Sequence, residues 1–226
     1  MSNFFNPDLI IEATSVCDRA CVGCYAPNVV SKKSAGELFI SNPSFFLVPE
    51  NLGQAISDLD LSSKIVSIRG GEPTRNPLLP ELLSVLSSRS CNPFLETHGR
   101  WILSEHDRAS LLDAIKAYKA NVKLSFDSMH GITITEIEKM TSILRAKSIP
   151  VSVGITESSE EVFMNTLQEL KHLHIEEVYF QPKATSSDFL TRPSIGVVGV
   201  NGLLKKTLTS KLKSLIEGQR GSSVAV

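Results

Sequence analysis

The feature that most limits the fold is an alternation, repeated about six times, between short apolar or β-branched runs and segments of helical period. The runs are Asp8 to Ala13, Lys64 to Arg69, Pro93 to Thr97, Val122 to Phe126, Pro150 to Ile155 and Glu177 to Gln181. Turn residues bound each of them, as they bound strands. Between them lie apolar stripes at helical spacing. Leu78 to Leu86 follows Pro77. Leu111, Leu112, Ile115 and Tyr118 follow a capping-box pattern at Ser104-Glu-His-Asp107. Ile137, Met140, Ile143 and Leu144 form the next stripe. Phe163, Leu167, Leu170 and Leu173 form another, opened by Ser158-Ser-Glu-Glu161. A further helix is expected over 50–59, after a looser stretch at 31–49 that contains Ser, Lys, Asn and Pro. Repeated alternation of this kind predicts an α/β fold with a parallel sheet and helical crossovers. An open doubly wound sheet and a barrel both satisfy it. In either case ligands gather at the C-terminal ends of the strands.

The 226 residues suit one domain, or one domain with a small appendage. The core is expected over 1–183. A C-terminal extension over 184–226 reads as a Ser/Thr/Gly-containing connector and then a basic amphipathic helix around Leu203 to Ile216. With 23 basic and 24 acidic residues the formal charge is −1, so composition gives no bulk signal for a nucleic-acid partner. No apolar stretch is long enough to cross a bilayer. The apolar part of the N-terminus lacks the basic flank of a secretory signal. A cytoplasmic location is the resulting expectation.

Cys17-Asp-Arg-Ala-Cys21-Val-Gly-Cys24-Tyr25 places three of the four cysteines in one loop with C-x3-C-x2-C spacing. Such crowding in an intracellular chain favours a metal or cluster site over disulfides. Three thiolates can bind three irons of a [4Fe–4S] cube and leave the fourth iron without a protein ligand, open to an external one. They can equally form a zinc site whose fourth ligand is His98, His130 or Cys91, in a non-enzymatic binding module. Buried thiols are the plainest reading, and Cys91 is read as one.

This spacing, the strand just before it, and Gly70-Gly71-Glu72-Pro73-Thr74 after the next strand together resemble the radical S-adenosylmethionine (SAM) family, over roughly Asp8 to Gln181. The resemblance implies a partial (β/α)6 barrel. It implies a [4Fe–4S] cluster on Cys17, Cys21 and Cys24 whose open iron chelates the methionine part of SAM. An electron from the cluster would cleave SAM to a 5′-deoxyadenosyl radical that takes a hydrogen atom from substrate. An external donor such as flavodoxin or ferredoxin would supply that electron.

Gly70 and Gly71 lack a Cβ and let the backbone turn sharply close to a ligand. Glu72 is an anionic acceptor suited to the ammonium of SAM, and Pro73 fixes the turn. In the family, a Ser-x-Asp similar to Ser125-Phe-Asp127 ends the fourth strand, its serine contacting SAM. Thr97-His98-Gly99 stands where many relatives have Thr-Asn-Gly, so Thr97 and His98 join His130 as candidate catalytic residues, the histidine at 98 departing from the pattern. Relatives often place an aromatic residue before the last cysteine. This chain has Gly23 there, and Tyr25 is the candidate to replace its packing on adenine. Gly154 and Gln181 are candidate wall positions for cofactor or substrate. No thiolates follow Cys91, so an auxiliary cluster domain is not expected. The open side of a partial barrel can admit a peptide or protein substrate, including a glycyl-radical protein. A small metabolite or nucleotide is the alternative.

Overall fold

The computed structural model describes residues 7–21, 24, 29–104, 108–157, 160–173, 175, 177–182, 196–198 and 204–205. Strand β1 (Leu9–Thr14) leads into β2 (Val16–Cys17), which pairs in parallel with β3 (Val29–Val30) as a two-stranded sheet. Helix α1 (Ala35–Ser41) and helix α2 (Pro49–Ala55) follow, then β4 (Ile65–Gly70), α3 (Leu79–Ser87), β5 (Asn92–Thr97) and α4 (Arg108–Ala117). The repeat continues through β6 (Asn121–Ser125), α5 (Ile134–Ala146), β7 (Val151–Glu157), α6 (Glu160–Leu170) and β8 (Glu177–Pro182). Two further strands are β9 (Gly196–Val198) and β10 (Leu204–Lys205).

The main sheet runs β10-β9-β1-β4-β5-β6-β7-β8. Every pairing in it is parallel except β10 with β9. The six expected strands are adjacent in chain order, the α/β arrangement of a partial TIM-like barrel.

Alternation along the strands separates two faces. Val66, Ile68, Leu95, Val122, Leu124, Val151, Val153 and Ile155 share one apolar cluster with the helix residues Leu82, Leu83, Leu112, Ile115, Met140 and Leu144. The other face is polar. Backbone register sets Glu12 beside Arg69, Glu96 beside Lys123, Lys123 beside Ser152, and Ser152 beside Glu177. Lys123 Nζ lies 3.0 Å from Glu96 Oε2, and Ser67 Oγ also donates to Glu96.

Three expectations change. The loose stretch at 31–49 contains α1, which begins at Ser34 because Ser34 and Glu37 form a reciprocal capping box. The helix expected over 50–59 ends at Ala55, and Ile56 already leaves helical geometry. In the extension, Leu204 and Lys205 form a strand instead of a helix, because β9 lies on the free edge of β1 and offers β10 a partner. The rest of the expected tail helix lies outside the described residues, as do residues 105–107 and 158–159 of the two expected helix starts.

Candidate functional site

The cysteine loop and the glycine-rich turn leave neighbouring strands, β1 and β4, and the backbone joins them. Gly71 N donates to Thr14 O at 2.7 Å, and Glu72 N donates to Val16 O at 2.8 Å. A Cβ on Gly70 would sit 2.3 Å from Thr14 O, and one on Gly71 would sit 2.2 Å from Val16 O. Gly70 also has φ +140°, a conformation that side chains strongly disfavour. Both glycines are therefore required by the join between the two motifs. Pro73 opens a single 3₁₀ turn (Pro73–Arg75), and the Glu72 side chain caps it by accepting from Thr74 N at 3.3 Å. Buried Asn76 then donates from Nδ2 to Ala13 O and Leu47 O, at 2.8 and 2.9 Å, fixing the turn to the end of β1. Sequence reading passed over Asn76, which looks like an ordinary turn residue.

Glu72 is 2% exposed, and both of its carboxylate oxygens have protein donors. Oε1 accepts from Thr74 Oγ1 at 2.7 Å and Thr97 Oγ1 at 2.6 Å. Oε2 accepts from His98 N at 3.1 Å and lies 3.2 Å from His98 Nε2. Thr97 Oγ1 also accepts from Gly99 N and Trp101 Nε1, each at 3.0 Å. Thr97 and Glu72 thus act as an internal polar knot at the ends of β4 and β5. Buried His98 links that knot to the cysteine loop, with Nε2 3.0 Å from Asp18 Oδ1. Its Nδ1 accepts from Arg100 N at 3.1 Å, which assigns the hydrogen to Nε2. Burial works against charge on His98, but Glu72 and Asp18 outweigh it and raise its pKa. The hydrogen bond from His98 holds the Asp18 carboxyl down to about 2, against its partial burial. The Arg100 contact opposes full protonation, since a second ring N–H would meet a backbone N–H, and the neutral Nε2–H tautomer is the one this geometry accommodates.

Cys17 is buried, Cys21 half-buried and Cys24 exposed, and none is in a disulfide. Burial, with Glu72 and Asp18 nearby, pushes the Cys17 thiol up to about 11, while the Arg19 backbone N–H donates toward it. A thiol so placed is held as a thiolate only when a cation compensates it. Among the described residues no three metal-ligating side chains are gathered. The donor chemistry nonetheless fits the cluster that the resemblance implies: three thiols within eight residues, in a loop seated on the sheet end. It fits a zinc module less well. Both ring nitrogens of His98 are engaged, whereas His130, whose Nδ1 lies 2.7 Å from Asp127 Oδ1, is held as a metal-ligating histidine can be. Cys91 precedes β5, at the end opposite Thr97, roughly 20 Å away along a six-residue strand. Its thiol donates to Leu86 O at 3.3 Å, and burial raises its pKa.

A cleft of about 700 Å³ opens beside the loop, lined by Asp18, Arg19, Cys21, Lys32, Arg100 and Met129 among others. Three of these six are cations. Ser125 ends β6 beside Gly154 in register. Asp127 lies beyond the strand and turns back, its Oδ1 accepting from His130 N at 3.0 Å, while its buried Oδ2 has no partner among the described residues. The period-two rule that paired Ser125 with Asp127 therefore stops at the strand end. The backbone of Gln181 lies in β8, and its side chain, like all of Tyr25 and Gly23, lies outside the described residues.

No family model matches the chain, and no curated protein does. Solved structures do. Streptococcus suis SuiB aligns with a TM-score of 0.56 at 17% identity, over 95% of this chain and 46% of its own. SuiB bound to S-adenosylmethionine aligns at 0.54 and 16% identity, over 80% and 40%. SuiB bound to precursor peptide SuiA aligns at 0.55 and 15% identity, over 99% and 49%. The likeness is one of fold. This chain spans less than half the length of SuiB.

Proposed function

We propose that the protein is a radical SAM enzyme that uses a [4Fe–4S] cluster on Cys17, Cys21 and Cys24. The observation that carries this reading is the direct backbone join between the cysteine loop and the Gly70-Gly71-Glu72-Pro73 turn. Two motifs about fifty residues apart in sequence meet as one unit at the strand ends, where α/β folds hold ligands. The fold shared with SuiB, a protein solved with SAM, supports it further.

When bound, the cluster supplies the electron that reductively cleaves SAM, the chemistry that removes a hydrogen atom from an unactivated C–H bond. Of this chain's residues, the cysteines would hold the iron. The Glu72 carboxylate is occupied by Thr74, Thr97 and His98, so the turn would meet SAM through its backbone, with Glu72 holding that backbone in place. Ser125 and the Asp127 carboxylate, one oxygen of which has no partner among the described residues, are the polar groups at the end of β6. Arg19, Lys32 and Arg100 suit a carboxylate in the cleft. A peptide is the substrate we favour, because SuiB is solved with a precursor peptide on the same fold. A flavodoxin or ferredoxin would supply the electron.

The test is anaerobic reconstitution followed by dithionite and SAM. We expect a brown protein with about four irons per chain that releases 5′-deoxyadenosine. Cys17→Ala, Cys21→Ala and Cys24→Ala should each lose both properties, while Cys91→Ala keeps them. A colourless protein with stoichiometric zinc, or equal iron loss in Cys91→Ala, would defeat the reading.

A further inference from the structure

The Cys17 end of the cysteine loop is fastened at several points. At Cys17 and Asp18 the backbone is tied to the segment that follows β3, and the Asp18 carboxylate is tied to the end of β5. Cys17 O accepts from Ser31 N at 2.9 Å, and Asp18 O accepts from the Lys32 ammonium. The Asp18 carboxylate meets His98 Nε2 at 3.0 Å, and His98 is only 6% exposed. That one N–H also faces Glu72 Oε2 at 3.2 Å, so a single donor bridges two carboxylates from different elements. Four residues on, Cys21 is half-buried, and Cys24 is exposed.

We propose that Asp18, His98 and Glu72 form a clamp that sets the Cys17 end of the loop before any metal arrives. This rests on the reading of the loop as a cluster site. The clamp gives His98 a positioning role and gives the departure from Thr-Asn-Gly a cause. An asparagine at 98 ends near the place of Nδ1 and can still face Arg100 N, but it stops short of Asp18. A glutamine reaches the place of Nε2 and can donate there. His98, past the end of β5, and Asp18, in the cysteine loop, therefore form a matched pair that ties the first ligand to Glu72 of the glycine-rich turn.

The experiment compares the parent with His98→Gln, His98→Asn and Asp18→Ala, all first checked for a parent-like thermal melt. Amide exchange over residues 15–18 is measured on the apo-protein. The reconstituted proteins are then compared by the rate at which a ferrous chelator strips iron and by the electron paramagnetic resonance spectrum of the reduced cluster. We expect faster exchange and about tenfold faster iron loss in His98→Asn and Asp18→Ala, with an altered spectrum. His98→Gln should restore exchange, iron retention and spectrum towards the parent. Unchanged exchange in His98→Asn would overturn the clamp whatever the metal does. Altered exchange with parent-like iron loss and spectrum would overturn its role in presetting the ligand. Altered exchange in a parent that takes up no iron would leave the contact standing and bring down the cluster reading instead.

Discussion

The strands turn two unlike faces outward. Towards the helices they present Val66, Ile68, Leu95, Val122, Leu124, Val153 and Ile155, each with no exposed surface. Burying side chains of this kind contributes about 1.5–3 kcal/mol each, and that face carries the stability of the fold. Towards the other side the same strands present Ser67, Arg69, Glu96, Lys123 and Ser152, a row of alternating charge flanked by hydroxyls. A buried ion pair of this sort gives little net stability over apolar packing, because desolvation offsets its attraction. A chain selected for stability alone would make both faces apolar. The polar face therefore costs the fold stability, and Ser125 continues it to the end of β6, beside Gly154.

The largest test of that contrast is to remove the one carboxylate at the centre of the row. Glu96 faces Lys123 directly and lies in the field of Arg69. Glu96→Leu takes the buried carboxylate away from Lys123 and from the field of Arg69, so we expect a loss of about 3–5 kcal/mol by urea unfolding. Lys123→Met leaves Glu96 with Arg69 and should cost clearly less. Equal losses would mean that Arg69 takes no part in the row.

The apolar face was legible in the sequence, and the polar row was not. Runs such as Val122 to Leu124 and Val151 to Ile155 announce strands because β-branched and aliphatic residues recur there, and the six strands lie within two residues of their expected ends. Helix α1 escaped because only Leu38 of it is buried, leaving no stripe to read, although Ser34 and Glu37 carried its capping signal. β9 and β10 are short, and depend on the edge of β1 for a partner. At the site, the cysteine and glycine motifs stood out by residue type. The reason for the glycines did not, since a Cβ there would strike Thr14 and Val16, more than fifty residues away in the chain. Asp18 was hidden because an acid inside a loop reads as solvated, and its partner His98 lies just past the end of β5, eighty residues on.

A smaller effect separates the faces by pH. Burial would raise the Glu96 carboxyl, but Lys123, Arg69 and Ser67 more than reverse it, and its folded pKa lies below the ordinary glutamate value. A depressed carboxyl contributes stability that is fully present above the unfolded pKa and is lost as pH falls through the folded one. Melting midpoints of the parent should therefore fall with acid in a window below the ordinary glutamate range. Glu96→Gln should flatten that part of the curve, whereas Leu124→Ala should lower the whole curve and keep its shape. A Glu96→Gln curve parallel to the parent's would remove the row from the acid response.

The smallest test is between two hydroxyls on the polar face. Ser67 Oγ donates to the Glu96 carboxylate, and hydrogen bonds to charged groups are worth about 1.5–3 kcal/mol. Ser152 Oγ is equally buried, but has no partner among the described residues although it stands beside Lys123 in register. An unsatisfied buried hydroxyl already bears its desolvation cost, so removing it recovers that cost and sacrifices only a small volume. Ser67→Ala should destabilise the protein by an amount within the range above, and Ser152→Ala should change it by less than about 0.5 kcal/mol, or stabilise it. Both are read from urea midpoints at neutral pH with the unfolding slope held constant. If Ser152→Ala costs as much as Ser67→Ala, its hydroxyl is satisfied in solution, and the polar face is a closed network. If it stabilises the protein, that hydroxyl is a polar group the fold keeps at its own expense, as the apolar face nowhere does.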